Sequence, residues 1–250
     1  MTGQVAALWR HPIKAHGREA LQEVTLTAGQ TFPWDRIWAV THEASKAQGG
    51  QWSPCPNFSR GAKAPQLMAI TAHLDEQSEH VTLRHPEQAE ITINPDDTAD
   101  AARFIDWVQP LMPEGRAAST GLIRAGEQGM TDSAFPSISI GNLASLRALS
   151  AAVGTELSPD RFRANIWIDG PEAWSEFDWI GETIRIRDVE LKVQERITRC
   201  LATATNPETG ERDTDTLGVL QSNWGHRDFG IYVTVSTGGR IAPGDALRLT

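Results

Sequence analysis

The chain is short of the residues that build several common kinds of site. It has two cysteines, Cys55 and Cys200, in 250 residues. Two thiols cannot supply an iron–sulfur cluster or a zinc site made of four cysteines. One disulfide is allowed by number, but a cytosolic chain keeps its thiols reduced, so two free thiols with separate fates are expected. Basic residues are also scarce: 23 Lys and Arg stand against 32 Asp and Glu, a formal net charge of −9. Such a chain repels nucleic acid, and no long basic run reverses that. Any anionic ligand must therefore be met by a local cluster of arginines. No apolar run approaches the roughly 20 residues that cross a bilayer. The segment Met1–Gly17 lacks the charged-then-apolar layout of a signal peptide. These absences lead us to expect no membrane span and a cytoplasmic protein. There is no haem motif, no glycine-rich dinucleotide fingerprint, no internal repeat and no low-complexity tract.

What is present is mostly strand. Val5–Trp9, Leu21–Leu26, Ile37–His42, Leu67–Leu74 and His80–Leu83 read as short strands separated by Gly, Pro or Asp. A helix is expected over about Thr98–Leu111, ended by Pro110 and Pro113, and a second over about Asn142–Val153, stopped by Gly154. Phe135–Ile140, Arg161–Ile168, Leu191–Ala204, Ile231–Val235 and Ala246–Leu249 read as further strands. Many short strands with two or three helices suit an α+β, mostly β fold built on barrels or strongly bent sheets, not a parallel βαβ array. The best boundary falls in the connection after Pro113, giving an N-terminal domain at 1–115 and a second at 116–250.

Cysteine usually packs as a small apolar group. If Leu191–Ala204 is one strand, however, Cys200 falls on its polar face with Lys192, Gln194, Arg196 and Thr198. Arg199 adjoins it, and a neighbouring guanidinium favours the thiolate, the form that binds soft metals. The same alternation puts Arg199 on the mainly apolar face, so either the strand bulges or Arg199 is buried against an anion. In Arg161–Ile168, Arg161, Arg163 and Asn165 share one face, an anion receiver or a solvated surface. Thr131, Asp132 and Ser133 could cap a turn or hydrogen-bond a heterocycle, and Lys14 could point at a phosphate or lie on the surface. A metal with one protein thiolate needs its other ligands from elsewhere. An organic dithiolene is one source, and its phosphate would need Arg and Lys.

Thr198-Arg199-Cys200-Leu201-Ala202-Thr203, followed by Asn206-Pro207-Glu208-Thr209-Gly210, resembles the signature of MOSC domains. His11-Pro12-Ile13-Lys14 and Trp34-Asp35-Arg36-Ile37-Trp38 resemble the β-barrel domain that precedes MOSC in the branch of the amidoxime-reducing components and their bacterial relatives. The resemblance implies an N-terminal β-barrel-like domain packed on a MOSC barrel, with a molybdenum–molybdopterin cofactor in the cleft between them. It implies Cys200 as the molybdenum ligand at the catalytic centre. It also implies cofactor contacts from Lys14, Arg36, Asp132, Ser133, Arg163, Asn165, Thr198 and Arg199. Two positions depart from the family pattern: Ala15 stands where Ser is frequent and Ala134 where Thr is common. The implied activity is two-electron reduction of N-hydroxylated compounds, such as amidoximes, hydroxylamines and N-hydroxylated bases. Electrons would come from a separate protein of ferredoxin type, or of cytochrome b5 type with its reductase, because this chain has no redox motif of its own. The rival reading is a carrier of the cofactor or of sulfur, without turnover. The segment Gln51–Ala64, with Cys55, matches nothing in the family pattern and is either a loop or a border of the substrate opening.

Overall fold

The computed structural model describes residues 2–250. Strand β1 (Thr2–Arg10) is followed by the short strands β2 (Ile13–Lys14), β3 (Glu19–Leu21), β4 (Val24–Leu26) and β5 (Trp38–His42). A meander of β6 (Thr71–Asp75), β7 (His80–His85) and β8 (Gln88–Ile93) leads into helix α1 (Thr98–Val108) and strand β9 (Ser119–Arg124). Then come β10 (Ile138–Asn142), α2 (Leu143–Val153), β11 (Ile166–Asp169), β12 (Thr183–Ile186) and β13 (Val189–Thr198). The chain continues through α3 (Thr216–Trp224), β14 (Asp228–Thr237), β15 (Gly239–Ile241) and β16 (Ala246–Leu249).

Seven strands close into a barrel in the order β11-β10-β14-β13-β12-β16-β1, with β1 returning to β11. The reason lies in the alternation of its strands. Ile138 and Ile140, Ile184 and Ile186, Leu191 and Val193, and Ile231 and Val233 recur at a spacing of two and are buried in one core. Side chains at that spacing share a face, and bulky branched residues fill the narrow interior of a small barrel. Only β10 and β11 pair in parallel; the other barrel contacts are antiparallel.

The first strand belongs to this barrel although it opens the chain. Gly3 pairs with Leu247 of β16, and Leu8 pairs with Ile166 of β11. A second crossing joins Val24 of β4 to Ile241 of β15. Sheet pairings thus cross the expected boundary at 115/116 in three places, at β1, at β4–β15 and at β5–β9. Strand β3 pairs with the end of β1, and the other strands of the N-terminal part form two three-stranded sheets, β2-β5-β9 and β6-β7-β8. With α1 they enclose a second core that includes Ile13, Trp38, Leu67, Leu83, Phe104 and Val108. The Asp97 side chain accepts from the Ala99 and Asp100 amides and starts α1. Asn142 does the same for α2, and Gly154, at φ 87°, ends it.

The chain is α+β and mostly β, with three helices among the described residues, as expected. Three local readings are corrected and one helix is added. The strand read over Leu191–Ala204 stops at Thr198, and a 3-10 turn covers Leu201–Ala204. Arg161–Ile168 is not one strand: Pro159–Phe162 is a 3-10 turn, Arg163 takes a left-handed conformation, and the strand begins at Ile166. Leu67–Leu74 divides between a 3-10 turn at Pro65–Ala69 and β6. Helix α3 was not foreseen because Gly218 and a weak apolar stripe hide it. The Asp215 side chain, accepting from Gly218 N at 2.9 Å, and Gly225 at φ 75° are its start and stop signals.

Candidate functional site

A cleft of about 480 Å³ opens where the two cores meet. β2 and the turn after β4 bring Lys14 and Arg36 from the N-terminal side, while the segment before β11 and the end of β13 bring Arg163, Arg199 and Cys200 from the barrel side. Residues far apart in sequence are clamped together there. Lys14, only 3% exposed, donates from Nζ to Met130 O at 2.7 Å and to Asp132 Oδ1 at 2.5 Å. Arg36 Nη2 donates to Arg163 O at 3.2 Å, and Arg163 Nη2 donates to Gly17 O at 3.0 Å.

Ala15, Arg36 and Arg163 all line the cleft with positive φ, at 64°, 55° and 49°. Left-handed backbone is costly for a residue with a Cβ, about 1–3 kcal/mol each where it is strained. It persists only where surrounding contacts fix it. At Arg36 they do: its amide donates to His11 O at 2.7 Å, and its carbonyl accepts from Met130 N at 2.8 Å.

Behind this wall lies a buried ionic network. His11 N and Nδ1 meet Asp35 Oδ1 at 2.7 and 3.0 Å, and the other Asp35 oxygen pairs with Arg36. Burial opposes ionisation of Asp35, but Arg36 and His11 hold its carboxyl below the ordinary range. Burial, reinforced by the nearby Arg163 charge, pushes the His11 imidazole down to about 3. Against the loss of water around it, the charges of Lys14 and Arg36 keep the Asp132 carboxyl at about 2.

The charge balance of the cleft differs sharply from that of the whole chain. Seven cations line it: Lys14, Arg36, Arg60, Arg161, Arg163, Arg196 and Arg199. Lys14 pairs with Asp132, Arg36 with Asp35 and Arg161 with Asp213. Arg60, Arg163, Arg196 and Arg199 have no carboxylate partner among the described residues. Burial, with Arg36 close by, pushes the Arg163 guanidinium down to about 9. Burial likewise brings Arg199 to about 10.

Arg199 does not face a carboxylate. Its Nε and Nη1 donate to Phe229 O and Phe162 O, each at 2.8 Å, and its plane lies over both rings. Gly230, at φ 74°, leaves it room: a Cβ there would sit 2.4 Å from Ile140 O and 3.3 Å from Arg199 Nη2. That Nη2 is buried and has no hydrogen-bond partner, and neither does Arg161 Nε. An unpartnered buried donor is costly, so these two nitrogens suit an added acceptor.

Cys200 stands exposed just past β13, at the start of the 3-10 turn, so its access to the cleft comes from that turn and not from a polar strand face. Thr198 lies beside it, its Oγ1 donating to Asp228 Oδ1 at 2.6 Å. Asn165 lines the cleft but is held in the wall: its Oδ1 accepts from Ser139 N and Oγ at 3.1 and 2.8 Å. Ser133 does not line the cleft, and its Oγ lies 2.6 Å from Ser137 Oγ. Sequence reading passed over Tyr232 and Ser139, both in the lining, and left Gln51–Ala64 open between a loop and a border of the opening; Cys55 and Arg60 of that segment line the cleft. Tyr232 carried a signal, since it alternates with the core residues Ile231 and Val233 and must face away from them. Burial pushes its phenol up to about 12, and burial also raises the Cys55 thiol.

Among the described residues no three His, Cys, Asp or Glu side chains converge as a metal cage. A metal bound near Cys200 would need ligands supplied by its own organic partner. One exposed thiol, two unpartnered guanidinium nitrogens and four cations without carboxylates fit an anionic, metal-bearing cofactor.

Fold and cleft together define a two-part β protein with a thiol and a cation cluster at the junction of its parts. Residues 2–122 match the MOSC N-terminal beta barrel domain and residues 132–248 match the MOSC domain, and the chain belongs to the MOSC-domain proteins that carry that N-terminal barrel. It is 25% identical to mitochondrial amidoxime-reducing component 1 of Mus musculus, with 99% of this chain and 82% of that one aligned. It is 38% identical to the molybdenum cofactor sulfurase of Drosophila ananassae over 37% of this chain, which is 12% of the sulfurase. The crystal structure of the YUAD protein from Bacillus subtilis aligns with 100% of this chain and 96% of its own, at 13% identity and a TM-score of 0.46. No helix of the described residues is long and apolar enough to cross a membrane.

Proposed function

We propose that the chain holds a molybdenum–molybdopterin cofactor in the cleft and reduces N-hydroxylated compounds with electrons from a separate donor protein. The observation that carries this reading is the exposed Cys200 thiol set among arginines that lack carboxylate partners in a chain of net charge −9. The full-length likeness to an amidoxime-reducing component supports it.

Cys200 would be the protein's ligand to the metal, and thiolate is the form that ligates. Arg163, Arg199, Arg36 and Lys14 would meet the anionic groups of the cofactor, because guanidinium forks match phosphate geometry. Asp132 would help place it while its own charge is held by Lys14. Bound there, the metal would supply two-electron redox chemistry at the substrate's N–O bond. Reduction of an N–OH group consumes two electrons and two protons and releases water. Two cysteines cannot hold an iron–sulfur cluster and the sequence carries no haem or dinucleotide motif, so the electrons are assigned to an external carrier of ferredoxin or cytochrome b5 type. Two lining groups keep a proton at neutral pH: Tyr232 on Oη and Cys55 on Sγ. Both line the cleft and would be the donors offered to a substrate there.

The test is metal and pterin analysis of protein made in a host that synthesises molybdopterin, followed by benzamidoxime turnover with a chemical reductant. Stoichiometric molybdenum with turnover is expected. Folded protein without either molybdenum or pterin overturns the reading. Molybdenum that never turns over any N-hydroxylated compound replaces it with the carrier role.

A further inference from the structure

Beside the cleft lies a groove of about 210 Å³ whose lining includes three cations, Arg60, Lys63 and Arg116. Its other walls are His42, Pro56, Phe58, Ser59, Met112, Gly115 and Ala117, with no carboxylate among them. The nearest acids in sequence, Glu43 and Glu114, adjoin lining residues without lining it themselves. None of the three cations has a carboxylate partner among the described residues. In a chain with 32 acids against 23 bases, three unpaired cations around one small hollow run against the general balance.

The groove is built, not draped. Ser59 N donates to Val40 O of β5 at 2.9 Å, and Ser59 Oγ lies 2.8 Å from Ser119 Oγ of β9. Phe58 is 1% exposed, and its backbone pairs with Thr41. His42 is a fixed wall: Nε2 donates to Pro56 O at 2.8 Å, and Nδ1 accepts from Ala44 N at 3.2 Å. Arg60 follows directly on the anchored Ser59. It lines both hollows, with Nη1 3.9 Å from Cys55 Sγ on the cleft side. Arg60 is thus the wall that the groove and the cleft share.

We propose that this groove is an anion subsite, taking the carboxylate or phosphate group of a substrate whose N-hydroxylated end lies in the cleft. The proposal rests on the reading above for the cleft end of the molecule. The hollow is half open, with Lys63 and Arg116 exposed at its rim, and its small volume favours a small anionic group that charge-assisted bonds from the three cations would recognise.

The probe is inorganic phosphate titrated calorimetrically into the full chain, with acetate in parallel to separate a phosphate preference from a carboxylate one. Two variants tell the sites apart: Arg163→Ala in the cleft and the double variant Lys63→Ala/Arg116→Ala in the groove. The double variant should weaken one class of phosphate sites at least about tenfold and leave the class that Arg163→Ala removes. With turnover, it should lower kcat/KM for an anionic N-hydroxylated substrate and spare a neutral one. Unchanged phosphate and acetate binding in the double variant overturns the subsite. Loss of polyglutamate binding with phosphate binding unchanged also overturns it, in favour of a docking surface for an acidic protein. If Arg163→Ala alone has no effect, the cofactor reading fails while the groove's result stands.

Discussion

Replacing Arg163 by Met should move stability and cofactor retention in opposite directions. In the cofactor-free chain its guanidinium is largely buried, faces the like charge of Arg36, and has one neutral acceptor, Gly17 O. Its pKa falls from 12.5 to about 9. At roughly 1.4 kcal/mol per unit, that sets a ceiling of about 5 kcal/mol on the cost of the charge. Partial exposure screens it, leaving about 1–2 kcal/mol. Methionine keeps the stem and much of the packing, and it keeps the left-handed backbone strain. Removing the charge should therefore raise the Tm of the cofactor-free protein by about 3–6 °C. Retention should fall, because a charge-assisted bond of about 1.5–3 kcal/mol is lost, a factor of about 10–150 in affinity. Differential scanning calorimetry of cofactor-free protein and molybdenum remaining after dialysis read the two effects separately. Arg163→Lys, which keeps the charge but not the fork, should leave Tm near wild type and still weaken retention. A fall in Tm with unchanged retention would refute the reasoning and leave Arg163 as a prop for the Gly17 loop.

Cys200→Ala should abolish molybdenum retention while Cys55→Ala keeps most of it; equal retention in the two removes Cys200 as ligand. His16 and His11 are fully buried, and desolvation first of all lowers their pKa values to about 4 and about 3. Below pH 6.5 the unfolded chain takes up protons there that the folded chain refuses, so stability falls as pH drops. Each histidine contributes a slope of up to about 1.4 kcal/mol per pH unit. His16→Gln should remove about half of the slope that His11 and His16 supply between pH 6.5 and 5 in urea titrations, and an unchanged slope would dismiss it. Residues 116–250 expressed alone lack β1, so the barrel is open between β11 and β16. That fragment should show no cooperative unfolding transition, and a sharp one would show that β1 is dispensable.

How the residues of the site could be named from sequence, and how far their placement could not, is clearest around Arg163 and Cys200. Both were singled out by residue type and by the resemblance of their neighbours to a signature. Both were assigned to strand faces, and both lie in turns. An alternating stretch such as Arg161–Ile168 reads as extended, because no side-chain pattern reports a left-handed φ at an arginine. The barrel was legible in its paired isoleucines, since a spacing of two is imposed by the strand itself. The contact between Lys14 and Asp132 was not: no periodicity connects residues 118 apart. The segment of Cys55 and Arg60 stayed open between loop and cleft border because its position depends on ties from Ser59 to two strands outside it.

The seating of β1 in the barrel sets an order of events for folding. Gly3 can find Leu247 only after nearly the whole chain has been made. During synthesis the two N-terminal sheets can condense early and β3 can pair with the end of β1, but the backbone groups of β1 that meet β11 and β16 wait unpaired. Closing the barrel is a non-local step, slow by its loop entropy and exposed to mispairing until it is complete. The cleft, which needs Arg163 and Cys200 beside Lys14 and Arg36, cannot exist before that closure. A cofactor that binds only the closed form would then draw folding to completion, and the moment of loading would coincide with the moment the last strand docks.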